Sequence, residues 1–385
     1  MGYSADMLTD NSHAPIWISV GEASGDLHGA ELMKHLRDRD PGLRFTGIGG
    51  PAMGAQGFEA RYDMGLISLV GITEILSGLP RILLLLRRIR LALKAVRPRA
   101  VVLIDCPEFN FRVAKMARAL GIPVYYYISP QLWAWRPKRV EFLREHVRRV
   151  ICILPFEKEF YARHAMAVDY VGHPLMDVLP LERLDAMAVD DTLIGLLPGS
   201  RTREVSTLLP EFAGAARLLR EKRPNLRFVI IRAPGMERQR LLSLWDSDIP
   251  VEIVEPEARY ETFRACTMML AAAGTVTLET ALIGTPVVVA YQVSALSAMV
   301  GRMLVRVAHI SLPNLIAGRE IYPEHIQERA TAPHLAAAAA AWLDSPDKLA
   351  AVRRDLAGLR TMVGEPGAAA RAAGVILDDL ASMNS

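Results

Sequence analysis

Two turns in the second half of the chain carry residue types that can hold a diphosphate: Leu197-Pro-Gly-Ser-Arg-Thr-Arg-Glu204 and Ala273-Gly-Thr-Val-Thr-Leu-Glu279. Each follows an apolar run that reads as a buried strand and opens what reads as a helix. Gly199, Ser200, Gly274 and Thr275 then place backbone N–H groups and hydroxyls at helix N-termini, where an anion is well received. Arg201 supplies a bidentate cation for phosphate, and Glu279 an acceptor for a ribose diol. The other reading of Glu279 is a first-turn carboxylate favoured by the helix dipole. The spacing is neither a P-loop nor a G-x-G-x-x-G fingerprint, and Gly21, Gly25 and Gly29 in the first half do not follow the latter either, which argues against a dehydrogenase.

The first half offers carboxylates and aromatics. Gly21-Glu-Ala-Ser-Gly-Asp-Leu-His-Gly29 follows a first strand, with Glu22, Ser24, Asp26 and His28 as polar candidates and Asp26 equally readable as a cap. Asp105 leaves the end of a buried run in Leu103-Ile-Asp-Cys-Pro-Glu108. Ser129-Pro-Gln-Leu-Trp-Ala-Trp-Arg-Pro-Lys-Arg139 sets Trp133 and Trp135 beside Arg136, which suits either packing or a rigid wall for a sugar or acyl chain.

Alternating elements must position these groups. Residues 15–20, Phe45–Ile48, Ala100–Ile104, Val124–Ile128 and Val150–Leu154 read as strands separated by helices. The pattern pauses near Gly172-His-Pro-Leu-Met-Asp177 and resumes with Leu193–Leu197, Phe228–Ile231, Val251–Val254, Met268–Ala271 and Val287–Ala290. The expected fold is α/β, two Rossmann-like doubly wound domains facing across a cleft, with a helical C-terminal tail. Residues 14–180 are expected to form the N-terminal domain and 181–345 the C-terminal, nucleotide-binding one. Helices of 346–385 are expected to pack back on an N-terminal domain.

Bulk properties fit that picture. The 385 residues are 51% hydrophobic, enough for two or three domains, and a net charge of +3 is too small to make nucleic acid the main partner. Cys106, Cys152 and Cys266 are far apart and read as free thiols of a reducing compartment. No signal peptide and no 18-residue apolar run is present, so a cytoplasmic protein is expected. The D-x-D pairs at Asp38/Asp40 and Asp246/Asp248 read as surface turns, the histidines show no ligand spacing, and His173 reads as a hinge or packing residue. No metal and no cofactor is expected.

In order along the chain, GEASGDLHGA, GIGGPAM, LVGITEIL, IDCPEFN, YYISPQLWAWRPKRV, ILPFEKEFY, VGHPLMD, LLPGSR, AAGTVTLE and LPNLIAGRE span about residues 17–330. Together they closely resemble the lipid-A-disaccharide synthases, inverting glycosyltransferases of family 19, which implies a fold of the GT-B type with 14–180 as the acceptor and membrane-facing domain and 181–345 as the UDP-sugar-binding domain. Glu108 stands where many members have Asp, and Ala273 where many have Ser. The resemblance implies transfer of 2,3-diacylglucosamine from UDP to the 6-hydroxyl of 2,3-diacylglucosamine 1-phosphate, giving the β-1,6 disaccharide precursor of lipid A. Direct displacement needs a base at the acceptor hydroxyl. Asp105 is the chosen base, with Glu22 and Glu74 in reserve. Arg201, Ser200, the backbone of 199–201 and 274–275, and Arg319 would meet the departing UDP; Asn314 lies in the matched LPNLIAGRE loop.

Acylated substrates imply contact with the inner-membrane surface. Residues 64–80 carry Glu74 as their one ionisable group, and a basic apolar segment, Arg81–Lys94, follows. On a helical wheel Ile82, Leu85, Leu86, Ile89, Leu93 and Val96 form a core stripe. Leu83, Leu84 and Leu91 fall outside it, among Arg87, Arg88 and other cations, as in an interfacial helix. A homodimer partner covering those leucines is the other reading. Competing functions are a sugar-nucleotide epimerase of the same architecture, another glycosyltransferase with a lipid-linked acceptor, and a non-catalytic sugar-nucleotide sensor.

Overall fold

A computed structural model describes residues 14–68, 79–293 and 307–383. Its first sheet comprises β1 (Ile16–Ser19), β2 (Phe45–Gly49), β3 (Glu59–Asp63), β4 (Ala100–Ile104), β5 (Val124–Tyr127), β6 (Arg149–Cys152) and β7 (Asp169–Tyr170). Their spatial order is β3-β2-β1-β4-β5-β6-β7, with parallel pairing throughout. The central strands are apolar without alternation because helices cover both faces; β1 and β4 are buried along their whole length. The second sheet comprises β8 (Asp190–Leu197), β9 (Arg227–Ile231), β10 (Val251–Val254), β11 (Cys266–Ala272), β12 (Val287–Tyr291) and β13 (Glu324–Ile326), ordered β10-β9-β8-β11-β12-β13. It too is parallel.

Both sheets reverse their strand order beside the first strand, at β1/β4 and at β8/β11. Crevices open outside the carboxyl ends of such pairs, and ligands of open α/β sheets bind there. The alternation of apolar runs predicts this doubly wound class. Three strands escape that reading: β3, β7 and β13 lie at sheet edges, are two to five residues long, and carry polar side chains. An edge strand buries too little to show a hydrophobic signature.

The chain divides into two compact units, one holding residues up to Asp177 together with Glu365 onward, the other Val178–Gly364. The C-terminal helices, expected as one group, part company. The Pro346–Val363 helix packs on Val276–Ile283 and Leu312–Ala317 in the second unit, and the Ala368–Ser382 helix packs on Ala23–Arg39 in the first. Each attachment buries apolar residues, Leu356 and Leu359 in one helix, Ala372 and Ile376 in the other. Polar ties accompany them. Arg360 binds Asp185 through both terminal nitrogens at 2.7 and 2.8 Å, while Arg371 donates to the carbonyls of Val171, Glu365 and Pro366 at 2.9, 2.8 and 2.8 Å. Asp177 accepts the backbone N–H groups of Gly367 and Ala369, capping the last helix.

The Leu79–Val96 helix sets Leu86, Ile89 and Leu93 in the core, as its wheel predicts. Leu83, Leu84 and Leu91 are 58, 49 and 59% exposed, and Arg87 and Arg88 share that open face. Among the described residues no helix is long and apolar enough to cross a membrane.

Candidate functional site

In the first unit Glu22 and Asp105 lie just beyond the carboxyl ends of the paired strands β1 and β4. Gly21 lies just beyond the end of β1, and a Cβ there would lie 2.5 Å from Cys106 Sγ, so glycine lets the two exit loops close on each other. Asp105 and Cys106 both take left-handed backbone angles, φ 49° and 48°. Consecutive non-glycine residues in that region are uncommon and cluster at functional sites. Burial, and then the nearby Glu22 carboxylate, push the Asp105 carboxyl above the usual carboxylate range, which strengthens it as a base once ionised. Burial pushes the Cys106 thiol up to about 12, so it is held as an unreactive thiol.

In the second unit the two glycine turns leave the neighbouring strands β8 and β11. Gly199, at φ 108°, needs its freedom, and a Cβ there would overlap the Glu204 carboxylate. Glu204 accepts the Ser200 N–H at 3.1 Å, a carboxylate lying on a donor that the sequence reserves for phosphate. Arg201 is exposed at the start of the Thr202–Lys222 helix. Gly274 and Thr275 are exposed at the start of Val276–Ile283. Glu279 lies half-buried on that helix, with Arg259 Nε at 3.6 Å. Burial raises its carboxyl above the usual range despite Arg259.

The sequence model of the lipid-A-disaccharide synthetase family matches residues 16–373. The chain belongs to the lipid-A-disaccharide synthetase family. The lipid-A-disaccharide synthase of Syntrophus aciditrophicus is 41% identical over 366 residues, covering 93% of this chain and 96% of that protein. That of Neisseria meningitidis serogroup B is 37% identical over 367 residues, covering 92% and 95%. Among solved structures, UDP-GlcNAc 2-epimerase from Neisseria meningitidis, bound to UDP-GlcNAc, gives a TM-score of 0.63 at 13% identity, covering 96% of this chain and 100% of that one. MurG of Acinetobacter baumannii gives 0.61 at 15%, covering 94% and 98%. At those identities the likeness is one of fold. As a lipid-A-disaccharide synthetase family member, the chain is a glycosyltransferase.

Several residues singled out in the sequence do internal work. Asn314 is wholly buried: its Nδ2 donates to Tyr322 O at 2.7 Å and Glu324 Oε1 at 2.9 Å, and its Oδ1 accepts from Ile321 and Tyr322 N–H at 2.7 and 2.9 Å. A carboxamide has two donors and two lone pairs, so all are used, and Asn314 holds its own loop rather than a ligand. Arg319 is exposed and paired with Asp355 at 2.7 Å. Asp26 does not cap its own helix; it accepts Gly50, Ala52 and Met53 N–H groups at 2.8, 2.8 and 3.2 Å, capping Pro51–Ala55. Asp40 accepts the Gly42 N–H at 3.3 Å in a surface turn.

Ser24 is exposed beside Glu22, and His28 is half-buried on the same helix. Burial lowers His28 to about 4 and His173 to about 3, so both are neutral. Trp133 packs edge-on against Phe156 and donates to Glu157 at 3.3 Å. Trp135 is partly open, with the Arg136 guanidinium 4.1 Å above its ring, and Arg136 and Arg139 hold Glu108 at 2.5 and 2.8 Å. Glu74 lies outside the described residues.

Sequence reasoning missed three residues near Asp105. Asn110 Nδ2 donates to the carbonyls of Asp105, Ile104 and Ser19 at 2.7, 3.2 and 3.4 Å; Ser19 Oγ donates to Asn110 Oδ1 at 2.7 Å; Tyr126 OH donates to Asp105 O at 2.7 Å. The available signal was Asn110 itself, a polar residue one turn into an otherwise apolar helix face.

Proposed function

We propose that this chain transfers 2,3-diacylglucosamine from UDP to the 6-hydroxyl of 2,3-diacylglucosamine 1-phosphate, with inversion, giving the β-1,6 disaccharide 1-phosphate and UDP. The observation that carries the reading is the family match across residues 16–373. The raised Asp105 carboxyl supports it chemically, because an inverting displacement needs one base and no covalent nucleophile.

In this mechanism Asp105 takes the proton of the acceptor 6-hydroxyl as its oxygen attacks the anomeric carbon, and the bond from that carbon to UDP breaks. Glu22, beside it, keeps the Asp105 proton affinity high enough to be useful. Arg201, Ser200 and the backbone donors of 199–201 and 274–275 receive the charge developing on the diphosphate, and Glu279 holds the ribose. Ser24, His28, Trp133, Trp135 and Arg136 serve the acceptor and its acyl chains. The open face of Leu83, Leu84, Leu91, Arg87 and Arg88 rests on the anionic inner-membrane surface, so the enzyme is cytoplasmic and peripheral. The alternative homodimer would cover those same leucines.

The test is turnover of the two acylated substrates with chelator present, comparing wild type with Asp105→Ala. Disaccharide and UDP from wild type, falling about 10²–10⁴-fold in the variant while UDP still binds, is the expected result. Epimerised sugar nucleotide in place of disaccharide would overturn the reading.

A further inference from the structure

We propose that Asn110, backed by Ser19 and Tyr126, is a positioning residue for catalysis: it grips the Asp105 main chain and so aims the Asp105 side chain without touching substrate. The proposal rests on the reading of Asp105 as the base. A strand leading into a helix that begins with Pro107 has no intrinsic need for two left-handed residues. Asp105 and Cys106 nevertheless have φ of 49° and 48°, and side-chain-bearing residues stay in that region only when their surroundings over-determine it.

The surroundings here are three adjacent strands and one helix. The Asp105 carbonyl accepts from Asn110 Nδ2 and from Tyr126 OH, each at 2.7 Å, so both of its lone pairs are taken. That fixes the peptide plane between 105 and 106, and with it the direction of the Asp105 Cα–Cβ bond. Asn110 is in turn fixed by Ser19 Oγ on β1 and by the Ile104 carbonyl on β4, while Tyr126 belongs to β5. Asn110, Ser19 and Tyr126 are fully buried, so no water competes for these bonds. What acts on the Asp105 carboxyl is then set by that direction: the burial that desolvates it, the Glu22 carboxylate, and the opposing Cys106 backbone N–H.

The experiment measures kcat, KM for both acylated substrates and the pH profile of kcat/KM for Tyr126→Phe and Asn110→Ser in the full-length enzyme, normalised to UDP-binding sites. Tyr126→Phe removes one hydroxyl and keeps the packing, so it covers the case in which Asn110→Ser fails to fold. The expected result is kcat down about tenfold in Tyr126→Phe and further in Asn110→Ser, with KM within about twofold and the acid limb of the profile displaced. A loss confined to stability, with normalised kcat and the acid limb as in wild type, overturns the proposal. Asp105→Asn separates the two claims. If it is inactive while the positioning variants are normal, the positioning role alone falls; if it is active, the base assignment falls and the positioning role with it.

Discussion

The indole N–H of Trp133 points at the buried carboxylate of Glu157, 3.3 Å away, and the same carboxylate accepts the N–H groups of Ile153 and Leu154 at 3.2 and 3.0 Å. Glu157 therefore ties the tryptophan loop to the end of β6 and the start of Pro155–Arg163. Burial outweighs those three hydrogen bonds and raises its carboxyl from 4.5 to about 7.

A raised acid pKa in the folded state gives stability that is present below the unfolded value and lost as pH rises through the folded one. Wild type should thus lose on the order of 3 kcal/mol from this group between about pH 4.5 and 7. Glu157→Gln removes the titration, so its denaturation midpoints should flatten over that window relative to wild type. Parallel pH curves for the two proteins would show that Glu157 is not the titrating group.

Arg201→Ala should weaken UDP binding by about 10–100-fold, the range for losing a charge-assisted contact to phosphate. Glu204→Gln acts in the opposite sense. It removes a negative charge from the Ser200 N–H and should tighten UDP by roughly twofold to fivefold. Calorimetric titration of UDP into both variants checks the pair of signs.

Leu83 and Leu84 are open to solvent, so replacing both with Ser should leave thermal stability within about 0.5 kcal/mol. Flotation with anionic vesicles should nevertheless drop at least about tenfold, since each leucine contributes roughly 1.5–3 kcal/mol on entering an apolar phase. Unchanged flotation, with a change in oligomeric mass instead, would assign the face to a second copy of the chain.

Arg371→Ala removes three hydrogen bonds that bind the last helix to Val171, Glu365 and Pro366. About 1.5–3 kcal/mol of local stability should go with them. Hydrogen exchange should report faster amide exchange across Ala368–Ser382 while β8 and β11 keep their protection. Equal acceleration everywhere would mean that the helix is part of one global unfolding unit.

The core strands were legible because burial on both faces writes an unbroken apolar run, as in Ala100–Ile104 and Val287–Tyr291. The edge strands Glu59–Asp63 and Glu324–Ile326 were not, since half of each strand's surroundings is solvent or loop. In the second unit's turns Gly199 announced its constraint by type, a φ of 108° against the Glu204 carboxylate, whereas Gly274 has open space around it. Asn314 misled for a physical reason: a buried carboxamide used four times within its own loop looks, in sequence, like one free to meet a ligand.

The sequence by itself determined the doubly wound class, the family, and which strand ends carry Glu22, Asp105, Arg201 and Glu279. The class follows from apolar periodicity, the family from the resemblance of the ordered motifs, and the residue placement from residue types at turns, all of them local quantities. Only the tertiary structure decided how Asp105 is held and how the C-terminal helices divide. The Asp105 carbonyl is held by Asn110 on the following helix and by Tyr126 on β5, and Asn110 is held in turn by Ser19 on β1. Arg360 and Arg371 are eleven positions apart in sequence, yet one secures its helix to Asp185 and the other to Val171, in different units. Such choices are set by burial and hydrogen-bond partners that no local pattern records.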